Sequence, residues 1–477
     1  MEDTQMTGCL VLNHKIGKMR YLLSFFVINA VFCVDLVFAQ AQVAHPVQVH
    51  SYSFGKPTEH QNSPKPQYAP LPTPYAQNPA PPVQGTATEK ISIEQISAIA
   101  VANHPAIAQA ARQVEAYQGS WVQSGLKENP MVGFIADEMS SDNDAGRQGV
   151  TFSQEIVPRR KRDARQGVDS AEQNAARKGL QIQQQKVMND ATIAGYRLLI
   201  AQNKELLAQE LLEICEKVAI AAYNLSEIKE VSKTDYLQAR IEFNQAQIAL
   251  NDVQLEREAA SKEITILIGA PVWAQYEITD SLEHLPLDLD ENEIYQQLVT
   301  QSPQIQRARA ELNAARARLK KECQEAGVNI STEGNLLYNT NEKQTEVTVG
   351  ISVPLRVYNK NQGNIMKANS ELLAAASNVE RVEKALQSQF QSQIAQFKTA
   401  QRRVQLYQEK VLTEVDESLR LIMQSYQQGE SSYIELLSSQ RTMFNARLEY
   451  MDNVGMLVNS RAMICGYLLQ GAYDKPE

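Results

Sequence analysis

The sequence predicts an α+β membrane protein with long α-helical hairpins, four β-strands per protomer, and two internal repeats. Three observations lead there. The region from about Ile91 to Ala270 is echoed from about Leu289 to Gln470, and self-similarity at a fixed offset marks a duplicated architecture. Two stretches, Arg159 to Ala270 and Leu355 to Lys475, contain no proline and are too long for one ordinary helix, so each folds back once. Each half also carries a pair of short alternating segments of strand period.

Taken in order, Lys15, Lys18 and Arg20 precede an apolar stretch from Tyr21 to Phe38, and Val37-Phe38-Ala39 offers compact residues for cleavage. Residues 1–39 are therefore expected to be a signal peptide, with Met19 an alternative start. Neither Cys9 nor Cys33 sits in a lipoprotein box. Residues 40–89 hold 10 of the 18 prolines and are expected to form a disordered Pro/Gln-rich arm. His45, His50 and His60 lie on it at spacings that pre-organise no metal site. The first repeat is expected over 90–288, the second over 289–471, and a short tail over 472–477.

Within each repeat, a helix of about 35 residues (Ile91 to Lys127; Glu291 to Glu325) leads into two strands, Met131 to Met139 with Val150 to Val157, and Val328 to Tyr338 with Glu346 to Val353. Descending helices follow, Arg160 to Ile228 and Lys360 to Gln428, then return helices of about 37 residues. In the second descending helix Val379, Val382, Leu386, Phe390, Ile394, Phe397, Val404, Tyr407, Val411, Val415, Leu419 and Ile422 keep a spacing near 3.6, one narrow seam along a rod of roughly 100 Å. Two short helices stacked end to end match one long one. Four strands cannot close a barrel, and lipid tolerates no open sheet edge, so closure requires other subunits; three protomers would supply twelve strands.

Composition narrows the function. With 55 Asp+Glu against 46 Lys+Arg and a net charge of −9, no field exists to hold nucleic acid. Cys215, Cys323 and Cys465 are far apart with no C-x-x-C, which reads as ordinary buried or interface thiols. There is no Gly-rich phosphate loop, H-E-x-x-H or G-x-S-x-G, and His104 precedes a proline where the other half has Ser302, so neither an enzyme nor a metal or cofactor site is expected.

The ordered motifs are Ile91-Ser92-Ile93-Glu94-Gln95 with Asn103-His104-Pro105, Phe152-Ser153-Gln154-Glu155-Ile156-Val157-Pro158 before Arg159-Arg160-Lys161-Arg162, Ile351-Ser352-Val353-Pro354-Leu355 before Asn359-Lys360-Asn361-Gln362-Gly363, and the tip Tyr426 to Leu437. Over about Ile91 to Gly471 this pattern resembles the TolC family of outer-membrane efflux ducts. The resemblance implies a homotrimer with a twelve-stranded β-barrel in outer-membrane lipid and an α-barrel in the periplasm. Its partners would be a periplasmic adaptor (membrane fusion) protein and an inner-membrane resistance-nodulation-division pump. A vaguer likeness to the branch serving divalent-cation pumps points to metal cargo, with drugs, dyes and secreted peptides left open. A pore-less periplasmic coiled-coil scaffold is the different-class alternative.

The resemblance also implies candidate sites. Family entrances are narrowed by acids three positions apart beyond the second tip; here Glu435 fills the first position and Ser438 the second, leaving one ring of three carboxylates. Glu435 is that gate or an ordinary first-turn carboxylate. Asp235, its first-repeat counterpart, faces the lumen or links to Lys229 or Lys233. Leu437 and Leu237 constrict the opening or belong to the helix seam. The tips Lys229, Glu230, Val231, Ser232 and Gly429, Glu430, Ser431, Ser432 would dock the adaptor or serve as plain turns. The run Arg159 to Arg162 is a collar near lipid head groups or a solvated charge run; Trp121, Phe134, Tyr338 and Tyr358 line the membrane interface or pack ordinarily.

Overall fold

In a computed structural model the described residues are 89–138, 146–271, 274–282, 289–428 and 430–474; the expected signal peptide, nearly all of the arm, and Gly429 lie outside them. The chain forms β1 (Glu89–Ile91), α1 (Ile93–Asn103), α2 (Pro105–Gly125), β2 (Met131–Asp137), β3 (Arg147–Ile156), α3 (Arg159–Glu227), α4 (Lys233–Ile268) and β4 (Tyr276–Ile278). It continues as α5 (Glu291–Gln301), α6 (Pro303–Glu325), β5 (Ile330–Asn339), β6 (Gln344–Ser352), α7 (Gln362–Leu406), a π-turn (Tyr407–Val411), α8 (Leu412–Gln427) and α9 (Tyr433–Cys465). No described helix is long and apolar enough to cross a membrane.

The leading helix of each half is not one helix but two. Pro105 and Pro303 each open a new helix. A proline forces the residue before it out of the helical region, and His104 (ψ 127°) and Ser302 (ψ 124°) are extended accordingly. His104 turns the break into a cap: its Nδ1 accepts the Ala106 N–H at 3.3 Å while the ring is buried against Tyr473. Burial holds the His104 pKa below its ordinary value.

The long helices form as the sequence requires. α3 runs 69 residues, roughly 100 Å, with α2 and α1 packed along one part and α4 along the other. Gly195 lets α1 approach: a Cβ there would stand 3.0 Å from the Ile93 side chain. Two cores form where helix junctions meet the rods. Ile93, Ile96, Ala194, Leu198 and Ile264 fill the first; Leu298, Ile305, Phe390, Phe397 and Leu457 fill the second.

The seam expected along the second rod holds only in part. Leu386, Phe390, Ile394, Phe397 and Val404 are buried, but Val411, Val415, Leu419 and Ile422 are half-exposed. Between these stretches the π-turn resets the helical register. There Tyr407 donates to the Glu449 carboxylate, and Gln408 Nε2 donates to Tyr450 Oη at 2.9 Å. Below it, α8 packs on α9 and leaves its other side open.

Two elements escape periodicity altogether. β1 and β4 pair in parallel through three residues each, too short to show a period. After α9, residues 466–474 form a strap on α3: Asn189 Nδ2 donates to the carbonyls of Gly466 (2.8 Å) and Leu469 (2.7 Å), and Gln183 Nε2 to that of Ala472 (2.7 Å). Asp190 accepts from the N–H groups of Gly471 and Ala472, and Gly471 supplies a φ of +84°.

Asn189→Ala should strand two buried carbonyls. The expected loss is about 2–3 kcal/mol, together with proteolytic release of the C-terminal strap; urea unfolding and limited proteolysis measure both.

Candidate functional site

The four longer strands make one antiparallel sheet in the order β2-β3-β5-β6, so strands from the two halves of the chain pair through β3 and β5. All four lie where strand-period patterning places them, shifted by a few residues at their ends. The register sorts side chains by face. Val132, Phe152, Gly334 and Val349 align across all four strands, as do Phe134, Val150, Leu336 and Val347, with Thr332 opposite Ile351. The other face carries Asp137, Thr151, Ser153, Glu333, Asn335, Glu346 and Thr348. On it Arg147 pairs with Asp137 (3.3 Å), Glu138 (2.5 Å) and Glu346 (3.2 Å), tying three strands together.

Magnitudes decide what the apolar face is for. Phe134 is 72% exposed, Val349 75% and Ile351 72%. Burying each such side chain is worth about 2 kcal/mol; over the apolar set that reaches on the order of 15 kcal/mol, as much as a whole domain's stability. Such a face requires an apolar neighbour. β3 has 10 residues, roughly 33 Å of strand at about 3.3 Å per residue, and tilting brings that near the apolar band, about 25 Å tall, of membrane barrels. Among the described residues β2 and β6 are the sheet edges, each with one side unpaired.

Where sheet meets helices, the basic run is not simply solvated. Lys161 is buried and pairs with Glu325 at 3.5 Å, and Arg165 meets the same carboxylate at 2.6 Å. These contacts fasten α3 to α6, since a buried ammonium needs a carboxylate partner. Arg162 donates to the Gly125 carbonyl, while Arg159 and Arg160 stay exposed. Trp121, Phe134, Tyr338 and Tyr358 are all exposed.

At the opposite end of the helices, the tips are built alike. The Glu230 N–H bonds the Leu225 carbonyl and the Glu430 N–H bonds the Ser425 carbonyl, both at 2.9 Å. Lys229 adopts φ +63° in the first tip, a conformation that favours glycine. Glu435 and Asp235 both complete capping boxes. Glu435 accepts the Ser432 N–H at 3.2 Å while Ser432 Oγ accepts the Glu435 N–H, and Asp235 with Ser232 repeats the arrangement at 3.1 and 3.2 Å. No ion pair joins Asp235 to Lys229 or Lys233 among the described residues; the short carboxylate turns back on its own helix end. Leu437 is buried with Tyr433, Ala222 and Ala239 between the hairpins, whereas Leu237 and Ser438 are exposed.

Cys215 is buried beside this cluster, and burial, reinforced by Glu242, pushes its pKa up to about 11; Cys323 and Cys465 are exposed. Among the described residues no group of three or more His, Cys, Asp or Glu is placed to hold a metal ion.

Comparison with known proteins adds relatives of the same build. Residues 294–465, from α5 to the end of α9, match the family described as outer membrane efflux protein. The cobalt-zinc-cadmium resistance protein CzcC of Cupriavidus metallidurans is 22% identical over 389 residues, covering 78% of this chain and 89% of the relative. A membrane protein from Pseudomonas aeruginosa has a similar solved structure, with TM-score 0.68 at 15% identity over 79% of this chain and 93% of that one. CusC gives 0.65 at 16%, over 80% and 92%. The Campylobacter jejuni CmeC outer membrane channel gives 0.65 at 14%, over 80% and 87%.

Two outcomes test the tip chemistry. Ser432→Ala should weaken the start of α9 by about 1 kcal/mol, roughly fivefold faster amide exchange there, while Glu435→Gln, which can still accept the Ser432 N–H, should change it by less than about twofold. At pH 8 a maleimide should label Cys323 and Cys465 but leave Cys215 untouched until unfolding, since raising its pKa from 9.0 to about 11 cuts the thiolate fraction roughly a hundredfold.

Proposed function

We propose that this chain, which belongs to the TolC family of outer-membrane efflux proteins, is one third of a passive exit duct. Three four-stranded sheets join β6 to β2 of the next protomer and close a twelve-stranded barrel. The apolar face meets lipid and the face bearing Glu333, Arg147 and Glu346 lines the lumen. The observation that carries this reading is the sheet itself: an apolar face, a polar face and two open edges in one element. Closure is the one arrangement that satisfies the edges inside hydrocarbon. A pore-less scaffold has no use for such a face.

The helices support the same assembly. On α4 Leu237, Ile241, Ile248 and Leu255 are exposed at spacings of four and seven residues, an unfilled seam of coiled-coil period. It would pack on the open side of a neighbouring α8, making the chain's two repeats equivalent staves of a helical barrel in the periplasm. The tips, Lys229 to Ser232 and Gly429 to Ser432, would receive a periplasmic adaptor that couples the duct to an inner-membrane pump. Three Glu435 carboxylates would ring the entrance and draw cations. Together with the similarity to a cobalt-zinc-cadmium resistance protein, this favours divalent metal cations as cargo.

The full-length protein, extracted in detergent and reconstituted in a planar bilayer, should run as a trimer and conduct; a monomer with no channel current would remove the duct reading. In the same bilayers Glu435→Gln should lower the cation-to-anion permeability ratio severalfold, because removing the ring removes its local potential. An unchanged reversal potential would dismiss Glu435 as a gate.

A further inference from the structure

The sheet is polarised end to end in charge. At its hairpin end Asp137, Glu138, Glu342 and Glu346 outnumber Arg147 and Lys343. Where strands meet helices the balance reverses. Residues 125–130, 155–165, 320–330 and 353–362 hold ten Lys and Arg against five Asp and Glu, in a chain whose formal charge is −9.

These segments form one belt. Arg162 donates to the Gly125 carbonyl (3.3 Å), Gln154 to the Glu128 carbonyl (2.7 Å), Arg356 to the Ala326 carbonyl, and Asn361 to Glu322 (2.8 Å). Internal ion pairs occupy Lys161, Arg165 and Lys321. Lys127, Arg160, Lys320 and Lys360 are left with no carboxylate partner among the described residues, and Arg159 meets Asp163 only at 3.5 Å in open solvent. Between them stand exposed apolar side chains: Leu126, Val357, Leu355 at 88% and Tyr358 at 90% exposed.

Free cations interleaved with aliphatic and tyrosyl groups, directly below an apolar sheet face, match the composition of a membrane interface. We propose that this belt is a docking surface for anionic phospholipid head groups in the leaflet on the helix side of the barrel. A free anion would satisfy the cations but offers nothing to Leu355 and Tyr358; a phospholipid satisfies both. Arg160 follows β3 and Lys320 precedes β5, the two inner strands, so a neighbour joining at the sheet edges leaves these two positions open. The inference rests on the reading of the sheet as membrane-spanning.

The test uses the full chain, refolded into vesicles of phosphatidylcholine alone or of phosphatidylcholine with one quarter phosphatidylglycerol, then re-extracted for analysis of the retained lipid by mass spectrometry. Wild type should enrich phosphatidylglycerol over its bulk share. Arg160→Gln with Lys320→Gln, each lost charge weakening head-group attraction roughly fivefold, should return retained phosphatidylglycerol to near its bulk share, yet insert normally into phosphatidylcholine. Retention at the bulk ratio by wild type, or unchanged enrichment in the double variant, overturns the proposal. Failure of wild type to insert into either vesicle overturns the membrane-spanning reading instead. Should the double variant fail to insert, wild type in high salt decides: enrichment that persists there is not electrostatic and also overturns the proposal.

Discussion

An isolated four-stranded sheet with one apolar face and two unpaired edges is stable neither in water nor in lipid, and the rest of the molecule is arranged around that difficulty. Water penalises the exposed Phe134, Val349 and Ile351; hydrocarbon penalises every unpaired N–H and C=O along β2 and β6. Each penalty calls for a different partner, an apolar neighbour for the face and a hydrogen-bonding one for the edges. The contrast between the faces, with the Arg147 ion pairs on the polar side, gives the sheet two chemically distinct faces before any neighbour is present.

The helical part solves a simpler problem, keeping two rods straight and in register below the sheet. Proline at the second helix of each pair sets the break, and buried His104 and Ser302 occupy it. Lys161, Arg165 and Glu325 lock the rod to the neighbouring helix where strand becomes helix. Toward the tips Ala222 and Ala239 are buried with Tyr433 and Leu437, while α8 buries none of its described residues. A helix that buries few apolar side chains has lower local stability.

At the tips one carboxylate serves structure at the least. The Glu435 carboxylate is bound to its own helix N-terminus by one hydrogen bond, from the Ser432 N–H, and that bond holds its charge at the helix start. The fold thus places the three proposed ring charges through local capping chemistry rather than through long-range packing. The first tip turns with Lys229 at positive φ, a conformation that glycine favours but does not monopolise.

Much of this was legible in the amino-acid order because the signals are local and periodic. Val347, Val349 and Ile351 declare a strand face by alternation, long proline-free stretches declare rods, and Ser432 with Glu435 declares a helix start. His104-Pro105 and Ser302-Pro303 carry the signal for the helix breaks, which the expectation of a single helix of about 35 residues passes over. What only the tertiary structure decided are matters of pairing: that β3 joins β5 across the two halves, that three residues of β1 find β4, that Lys161 is buried while Arg160 is exposed, and that Asn189 and Asp190 hold the C-terminal strap. Such contacts join residues up to about 280 positions apart, and no local period records which distant segment will supply the partner for a given hydrogen bond or charge.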